Sequence, residues 1–502
     1  MTTKLSSASF EMDIRPGPKP QPTEHGLEGR FNIVVLGDFT GRASRNVVEP
    51  LAARKLLNID TDNFARVFTQ LGTKLKLTGT AISDGTIELP FNSLEDFHPD
   101  TLLTKVATLA KLNEARHMLL EPSTAEQGKA ALQRYLGAAV SGTAAQSAST
   151  TPPTPESDND TMARLLGGTP PTSKQSPAPA SPVQQFIRQV VAPHVSPSPG
   201  AWQTGAIAAA EMELTNRLNA VLHHPDFQAL EAAWRGVDML VRRIESSEEI
   251  GLFVLDVSLS ELQADLASHE QTERSVLFRL LRDRKPRLIV GNYTFGQNAA
   301  DLRTLGQLAE IATRLPTPFV ASAAAQLVGC DSFTRHPDPD DWKLKLTEDV
   351  AAIWETLRQS PAANHVGLAA PRFLLRQPYG KAGDPIENFS FEELPANAAH
   401  ESFLWGHSAI LCACVAIDAI QAGDTGLTEF TGGEISELPV HKFIEDGEVV
   451  VKPYAEAWLT DRAVARVLDR GIMPVVPVKN QNTIRLNHLR SIAGESMSVQ
   501  FL

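Results

Sequence analysis

The sequence predicts an α/β protein in two parts, a small α+β N-terminal domain linked to a larger α/β layered domain with a mixed sheet. Three observations predict it. A Ser-, Thr-, Ala- and Pro-rich stretch interrupts the chain at residues 139–200. Before it, a β-branched apolar run, helical stripes and a hairpin signal follow one another. After it, short apolar runs alternate with helical stripes, as in a layered sheet. The 502 residues allow two to four domains. The expected division is an N-terminal tail at 1–30, a first domain at 31–138, a linker at 139–200 and a second domain at 201–502.

In the first domain, residues 31–37 (FNIVVLG) read as a buried strand ended by the turn-like DFTGR. Thr61 or Asp62 is placed to cap a helix whose Phe64, Val67, Phe68 and Leu71 make one apolar stripe. Leu75 to Ser83 and Thr86 to Leu89 flank Asp84-Gly85, a two-residue hairpin signal. Asp100 opens a single helix carrying Leu102, Leu103, Val106, Leu109, Leu112 and Leu119.

The linker window of 62 residues holds 11 of the 34 prolines, where its share by length is about 4. Such composition cannot bury enough apolar surface to offset ordering, so it reads as a flexible, extended tether; within it Val183 to Val191 has the pattern of one short amphipathic helix. Beyond it Ile207 to Leu222 is an Ala-rich helix, and Pro225 opens another, with Phe227, Leu230, Trp234, Val237, Val241 and Ile244 spaced by three and four. Strand candidates follow at Leu252 to Val257, Arg287 to Asn292, Pro318 to Ala323, Val366 to Leu375, Val449 to Pro453 and Ile472 to Pro477.

Composition narrows the function. Lys and Arg total 46 against 59 Asp and Glu, a formal charge of -13, and no basic run offers a nucleic acid its counterion-releasing face. Cys330, Cys412 and Cys414 form no disulfide framework and suit a reducing compartment. The start has no secretory pattern, and the most apolar stretch, Ala409 to Ile420, is too short to span a bilayer and contains Asp418. A soluble cytoplasmic protein without membrane insertion is expected.

Catalytic signatures are missing: there is no GxxxxGK[ST], no GxGxxG after a strand, no HExxH, no GxSxG and no EF-hand loop. The turn from Gly37 to Arg42 lacks the lysine and spacing of a phosphate loop and reads as a strand-ending turn. Cys412 and Cys414 read as buried small residues, since no further ligands complete a metal site. His223 and His224, on diverging faces, read as helix-end residues before Pro225, and the acidic pairs Glu248-Glu249 and Glu392-Glu393, with residues 338–341, as surface charge. No cofactor, metal or catalytic residue is assigned, and the chain is read as a non-enzyme. The contrary reading is an enzyme with a pocket at the carboxyl ends of the strands, marked by converging titratable groups.

Leu222 to Val237 (LHHPDFQALEAAWRGV) resembles the signature of the large subunit of the type VI secretion contractile sheath. Further blocks follow in family order: Gly291 to Gly296 with Tyr293 and Phe295, Pro318 to Ala321 leading to Asp331-Ser332-Phe333, and Val366 to Arg372. Arg376 to Gly380, Phe403-Leu404-Trp405-Gly406, and Glu437 to His441 complete them. The first domain is similar to the family's small subunit, in the strand from Phe31 with Asp38 to Arg42, in Asp62 to Val67, and in Ser93 to Pro99. The chain thus resembles a small and a large sheath subunit fused through the proline-rich tether, which raises their effective concentration for each other.

The resemblance implies a structural component that assembles with itself or with other sheath subunits around an inner tube to support effector delivery, with the baseplate and an unfolding ATPase as further partners. Large subunits of this family continue well beyond the position matching Pro477 into a module that exchanges strands between protomers. The tail here, with strand-like Ser498 to Leu502, is too short for that module, and no docking helix for the ATPase is assigned. An accessory or terminating homologue that binds a sheath end or baseplate is therefore the alternative. Asp38, Arg42, Phe227, Trp234, Arg235, Tyr293, Phe295, Arg372, Trp405 and His441 are the motif residues expected in the core or at an interface. Phe227, Trp234 and Trp405 read first as core anchors and second as binding hot spots. Arg235 and Arg372 read as interface ion-pair partners or as caps on carbonyls.

Overall fold

The computed structural model describes residues 30–136 and 200–497, apart from 80–81, 83–84, 245–246, 297, 382, 396–397, 399, 424–432, 446–447, 452–453, 480 and 487–488. The linker, Val183 to Val191, Asp84 and Ser498 to Leu502 lie outside the described residues.

The N-terminal segment opens with β1 (Phe31–Gly37), every residue of which is buried, and continues through the short β2 (Leu57–Asn58) to α1 (Phe64–Leu71). Helix α1 starts after Asn63, which exchanges hydrogen bonds with Asp60, so neither Thr61 nor Asp62 is its N-cap. Strands β3 (Lys74–Thr78) and β4 (Thr86–Pro90) pair antiparallel. Their last pair is Thr78 with Thr86, so the expected two-residue turn is instead a seven-residue connection. The chain leaves the ladder there because Ile82 drops into the core at 3% exposure.

The single helix expected from Asp100 is two helices, α2 (Pro99–Lys105) and α3 (Ala107–Leu120), since Val106 adopts extended backbone and buries its side chain between them. His98 Nδ1 caps α2 by accepting from the Asp100 amide, with Pro99 at the first position, where a missing N–H costs nothing. Helix α4 (Ala125–Leu136) closes the segment.

The C-terminal body begins with α5 (Ala201–Leu222) and α6 (Pro225–Ile244), whose six apolar stripe residues are all buried. There follow β5 (Ile250–Asp256), α7 (Leu259–Ala267), α8 (Val276–Arg284), β6 (Leu288–Phe295), α9 (Ala299–Arg314), β7 (Phe319–Ala323), α10 (Glu348–Gln359) and β8 (Val366–Ala370). The strand expected over 366–375 ends at Pro371. Its remainder, β9 (Phe373–Leu374), pairs with β10 (Trp405–Gly406) in a separate ladder. Helix α11 (Ser408–Gln421) precedes β11 (Gly433–Ile435) and the detached hairpin β12 (Lys442–Glu445) with β13 (Glu448–Val451), which takes the expected Val449 strand out of the main sheet. Helix α12 (Asp461–Asp469), β14 (Met473–Pro477) and β15 (Ile484–Leu486) end the series.

Nine strands form one mixed sheet in the order β11-β15-β14-β8-β7-β6-β1-β5-β2. The six from β14 to β5 are parallel, with antiparallel strands at both margins. In the body, β5, β6, β7, β8 and β14 advance across the sheet in one direction. Right-handed crossovers then place the helices that lead directly into each next strand on one face, whereas α11, in the long excursion between β8 and β14, lies on the other. That face carries α7 to α10 and α12, packed on Val34, Leu36, Leu255, Ile289, Phe319 and Leu368. The opposite face is covered by α6, α11 and the N-terminal segment, packed on Ile33, Val35, Leu252, Val254, Val290 and Val320.

Strand β1 lies between β5 and β6, with Ile33 opposite Leu252 on one side and Leu288 on the other. Its alternate residues feed both faces, which explains a near-continuous apolar run rather than an alternating one. Five buried apolar side chains at about 1.5–3 kcal/mol each make β1 worth roughly 10 kcal/mol in transfer terms, before chain-ordering costs.

Candidate functional site

The motif residues converge on the junction between the N-terminal segment and the body. Trp234 of α6 is fully buried, and three rings from the other segment surround it. Phe68 stacks on it at 3.9 Å between centroids, Phe39 and Phe64 meet it edge-on at 5.5 and 5.7 Å, and its Nε1 donates to the Phe39 carbonyl at 2.9 Å. Two turns earlier on the same helix, Phe227 meets Phe97 and Phe91 edge-on at 5.5 and 6.0 Å. The stripe of α6 is therefore a core anchor, and the surface it anchors is the other half of the chain.

The DFTGR turn after β1 is a built junction. Asp38 accepts from the amides of Thr40, Arg42 and Ala43 at 3.3, 3.0 and 2.8 Å. Gly41 has φ +70°, and a Cβ there would lie 2.4 Å from the Lys74 carbonyl, so only glycine fits. The turn aims Arg42, 5% exposed, at Asp256 and Glu261: its Nε donates to Glu261 at 2.8 Å, its Nη2 to the Asp256 carbonyl at 3.1 Å, and its Nη1 to Thr40 and Asp256. Arg54 adds a second cation, donating to both Glu261 oxygens at 2.7 and 2.6 Å. Glu261 also completes a capping box with Ser258 at the start of α7.

Burial alone would raise Glu261. The Arg54 hydrogen bonds, the Ser258 and Glu49 amides and the Arg42 charge outweigh it and hold the carboxyl at about 2. The paired charges fix register more than they add stability, because desolvation offsets most of their attraction.

A second buried network locks α6 to the loop after β9. Glu231, fully buried, accepts from Arg235 at 2.7 Å and from Arg376 at 2.9 Å. Arg376 also forks onto Glu393 at 2.7 and 3.0 Å and lies over the Tyr379 ring. Glu393 is 1% exposed, which overturns its reading as surface charge; Arg376, His223 and the Tyr379 amide outweigh burial and hold it at about 2. Glu392 and the Glu248-Glu249 pair are exposed as expected. The N-terminal segment reaches this loop too: His98 meets Tyr379 edge-on at 5.0 Å, Asp100 accepts from the Glu387 and Asn388 amides at 2.9 and 3.4 Å, and Arg116 pairs with Glu211 of α5 at 2.8 Å.

The remaining motif residues lie in the body. Tyr293 donates to the Val257 carbonyl at 2.7 Å, and Phe295 is fully buried against it and Phe319. Arg372 takes Glu456 at 2.8 Å and Glu401 at 3.1 Å, so both it and Arg235 are ion-pair partners within the chain and not carbonyl caps. Trp405 stacks on His400 at 4.6 Å, and His441 meets Phe403 edge-on at 5.4 Å. His224 caps α6 through the Asp226 amide at 3.2 Å, while His223 faces Glu393 at 3.4 Å. Cys412 and Cys414 are fully buried on α11, and burial pushes each thiol up to about 12.

The carboxyl ends of β6, β7 and β8 do hold a cavity of about 670 Å³, lined by Thr294, Thr334, Arg372, His400, Glu401 and Glu456 among others. Its groups converge as hydrogen-bond partners. Thr334 Oγ1 lies 3.0 Å from the Glu456 carbonyl and 3.2 Å from both ring nitrogens of His400, and His400 lies 3.2 Å from a Glu456 oxygen already paired with Arg372. Between β1, β5 and β6 the Asp38 to Arg42 turn itself occupies the carboxyl-end position, leaving about 190 Å³ around Asn292 and His407. Among the described residues no group of three or more His, Cys, Asp or Glu is placed to hold a metal ion, and no helix is long and apolar enough to cross a membrane.

Sequence reasoning did not find Phe39, Arg54, Asp256, Glu231, Glu261 or Arg376 as junction residues. Two signals were available: Ser258 followed by Glu261 ahead of apolar positions, and Glu231 set within the apolar stripe of α6.

A sheet completed by a strand from a distant segment, keyed by aromatic and ionic contacts, defines a protein built from two mutually completing parts. The family of each part is shown by comparison. The VipB (EvpB) tail sheath N-terminal domain matches residues 204–493, more than half of the chain, and the type VI secretion system VipA family matches residues 18–150. The chain belongs to the type VI secretion sheath family and joins both of its subunit types. Against type VI secretion system sheath protein TssC1 of Pseudomonas aeruginosa it is 33% identical over 297 residues, covering 55% of this chain and 58% of that protein. Against sheath protein TssB1 of the same organism it is 30% identical over 135 residues, covering 26% of this chain and 76% of that protein.

Proposed function

We propose that this chain is a structural sheath protomer of a type VI secretion apparatus, in which the parts matched separately by TssB1-like and TssC1-like sequences act as one folded unit. It assembles with itself or with other sheath subunits around an inner tube and supports effector delivery from the cytoplasm, without performing chemistry. The observation that carries this reading is β1 in its slot between β5 and β6, with Trp234 keyed to Phe39, because it makes a single chain equivalent to a paired protomer. The division into tail 1–30, first domain 31–138, linker 139–200 and second domain 201–502 is the organisation we assign to it; of the motif residues, Asp38, Arg42, Phe227 and Trp234 act by holding the two parts in register, and the others by packing the body. Contacts with baseplate and unfolding ATPase belong to the same reading.

Copies in such an array meet through a heterologous contact that repeats without closing. Negative-stain microscopy and sedimentation of the purified full chain test the reading: tubes, rings or other ordered oligomers are expected, and a strict monomer at high concentration contradicts it.

A further inference from the structure

Helix α12 is strongly amphipathic. Ala463 and Val467 are buried, which turns Arg462, Arg466 and the following Arg470 outward at intervals of four. Arg358, from the end of α10, joins them in a concavity of about 630 Å³ also lined by Pro339, Asp340, Ala465 and Asp469. Four arginines thus face two carboxylates. Arg358 is held by backbone, donating to the Ile492 carbonyl at 2.9 Å and the Asp469 carbonyl at 3.3 Å, and Arg462 pairs with Asp340 of the adjoining acidic loop. Arg466 reaches only the Trp342 carbonyl, at 3.5 Å, and among the described residues neither Arg466 nor Arg470 has a carboxylate partner.

Like charges spaced by four weaken an isolated helix, and among the described residues no carboxylate forms an ion pair with either of the last two. This positive concavity sits on a chain of formal charge -13. The concavity runs along α12 from Arg462 in its first turn to Arg470 after its last, and every residue lining it belongs to the body. A heterologous array needs two different patches of complementary character on each copy, and a locally basic patch on an acidic chain is one half of such a pair.

We propose that the arginine concavity formed by Arg358, Arg462, Arg466 and Arg470 is an assembly contact that receives a carboxylate-bearing face of a second copy of this chain. The proposal rests on the sheath-protomer reading and adds the surface that joins copies. Arg466 and Arg470 supply the unpaired charge, and Arg358 and Arg462 shape the concavity.

The test compares full-length wild type with Arg466→Glu/Arg470→Glu and Arg466→Gln/Arg470→Gln, by sedimentation velocity and negative stain at about 50 and about 500 mM salt. Circular dichroism and thermal unfolding check that both exposed-site variants fold. The expected result is a wild-type assembly threshold that rises with salt, a threshold at least about tenfold higher for the Glu variant, and an intermediate Gln variant. A folded Glu variant that assembles at the wild-type concentration overturns this contact and leaves the sheath reading standing. A wild-type chain that stays monomeric under every condition overturns both.

Discussion

The two faces of the main sheet are built in different ways. The face carrying α7 to α10 and α12 comes mostly from strand–helix–strand neighbours in the sequence, and its aromatic side chains, Phe295, Phe319, Trp342 and Trp354 among them, all come from the body. On the other face, segments far apart in the chain bring Phe39, Phe64, Phe68, Phe91 and Phe97 against Phe227 and Trp234, and the buried Arg42–Asp256 and Arg42–Glu261 pairs pin the same N-terminal segment at the carboxyl ends of the strands. Local crossovers need only shape and apolarity. A junction between segments distant in the sequence needs contacts that admit a single register, and directional aromatic and ionic contacts provide it.

The largest single-site effect expected is at that face. Trp234→Ala should cost about 3–5 kcal/mol, as for other large buried aromatics. Trp234→Phe, which keeps a ring but loses the bond to the Phe39 carbonyl, should cost about 1–3 kcal/mol. Leu305→Ala on the opposite face should fall in the ordinary core range of about 2–5 kcal/mol. Urea unfolding of the full chain measures all three. A Trp234→Ala cost below 1 kcal/mol would show that the aromatic junction is peripheral to the fold.

Glu261→Gln removes the carboxylate shared by Arg42 and the part-buried Arg54, leaves Asp256 to face two cations, and should cost about 3–5 kcal/mol. Replacing the whole set with apolar residues of similar volume, Arg42→Met with Arg54→Met and Glu261→Leu, should cost less than the single change, and its penalty should appear as loss of a unique junction. Amide exchange over β1 reads that loss.

Acid separates the faces more gently. Glu261, Glu393 and Glu456 are each held at about 2, below the ordinary 4.5, so the stability they contribute is whole above about pH 4.5 and is lost as pH falls towards 2. His407 is held at about 4 by burial, aided by the Arg372 charge. Its contribution is whole above its ordinary 6.5 and is lost as pH falls towards 4. The unfolding midpoint should therefore decline slowly below pH 6.5 and steeply below 4.5. Thermal scans between pH 8 and 3 check this, and a midpoint level from pH 6.5 to 4.5 would rule out a neutral, buried His407.

Local features of this architecture were legible in the sequence. The β-branched run at 31–37, the three-and-four stripe of α6, the restart at Pro225 and the alternation of strands and helices after residue 250 are each written within a few turns of chain, and each forms as expected. The sheath motifs were legible as blocks in order. What the residues did not display was partnership: Arg42 meets Glu261 across 219 positions, and β1 enters between two strands of the other part, because pairing register is a property of two distant segments together. The burial of Glu393 was hidden for the same reason, its partner Arg376 lying on the far side of a loop. The break at Val106 and the departure of the chain after Thr78 come from tertiary burial of Val106 and Ile82, which overrides the local pattern.

Cutting the chain between the two parts tests the shared core most directly. A protease site placed within residues 139–200 and cleaved in the folded full-length protein should leave two fragments that co-elute at low concentration and unfold in one cooperative urea transition. Fragments that separate under native conditions, or that unfold in two independent transitions, would contradict the account.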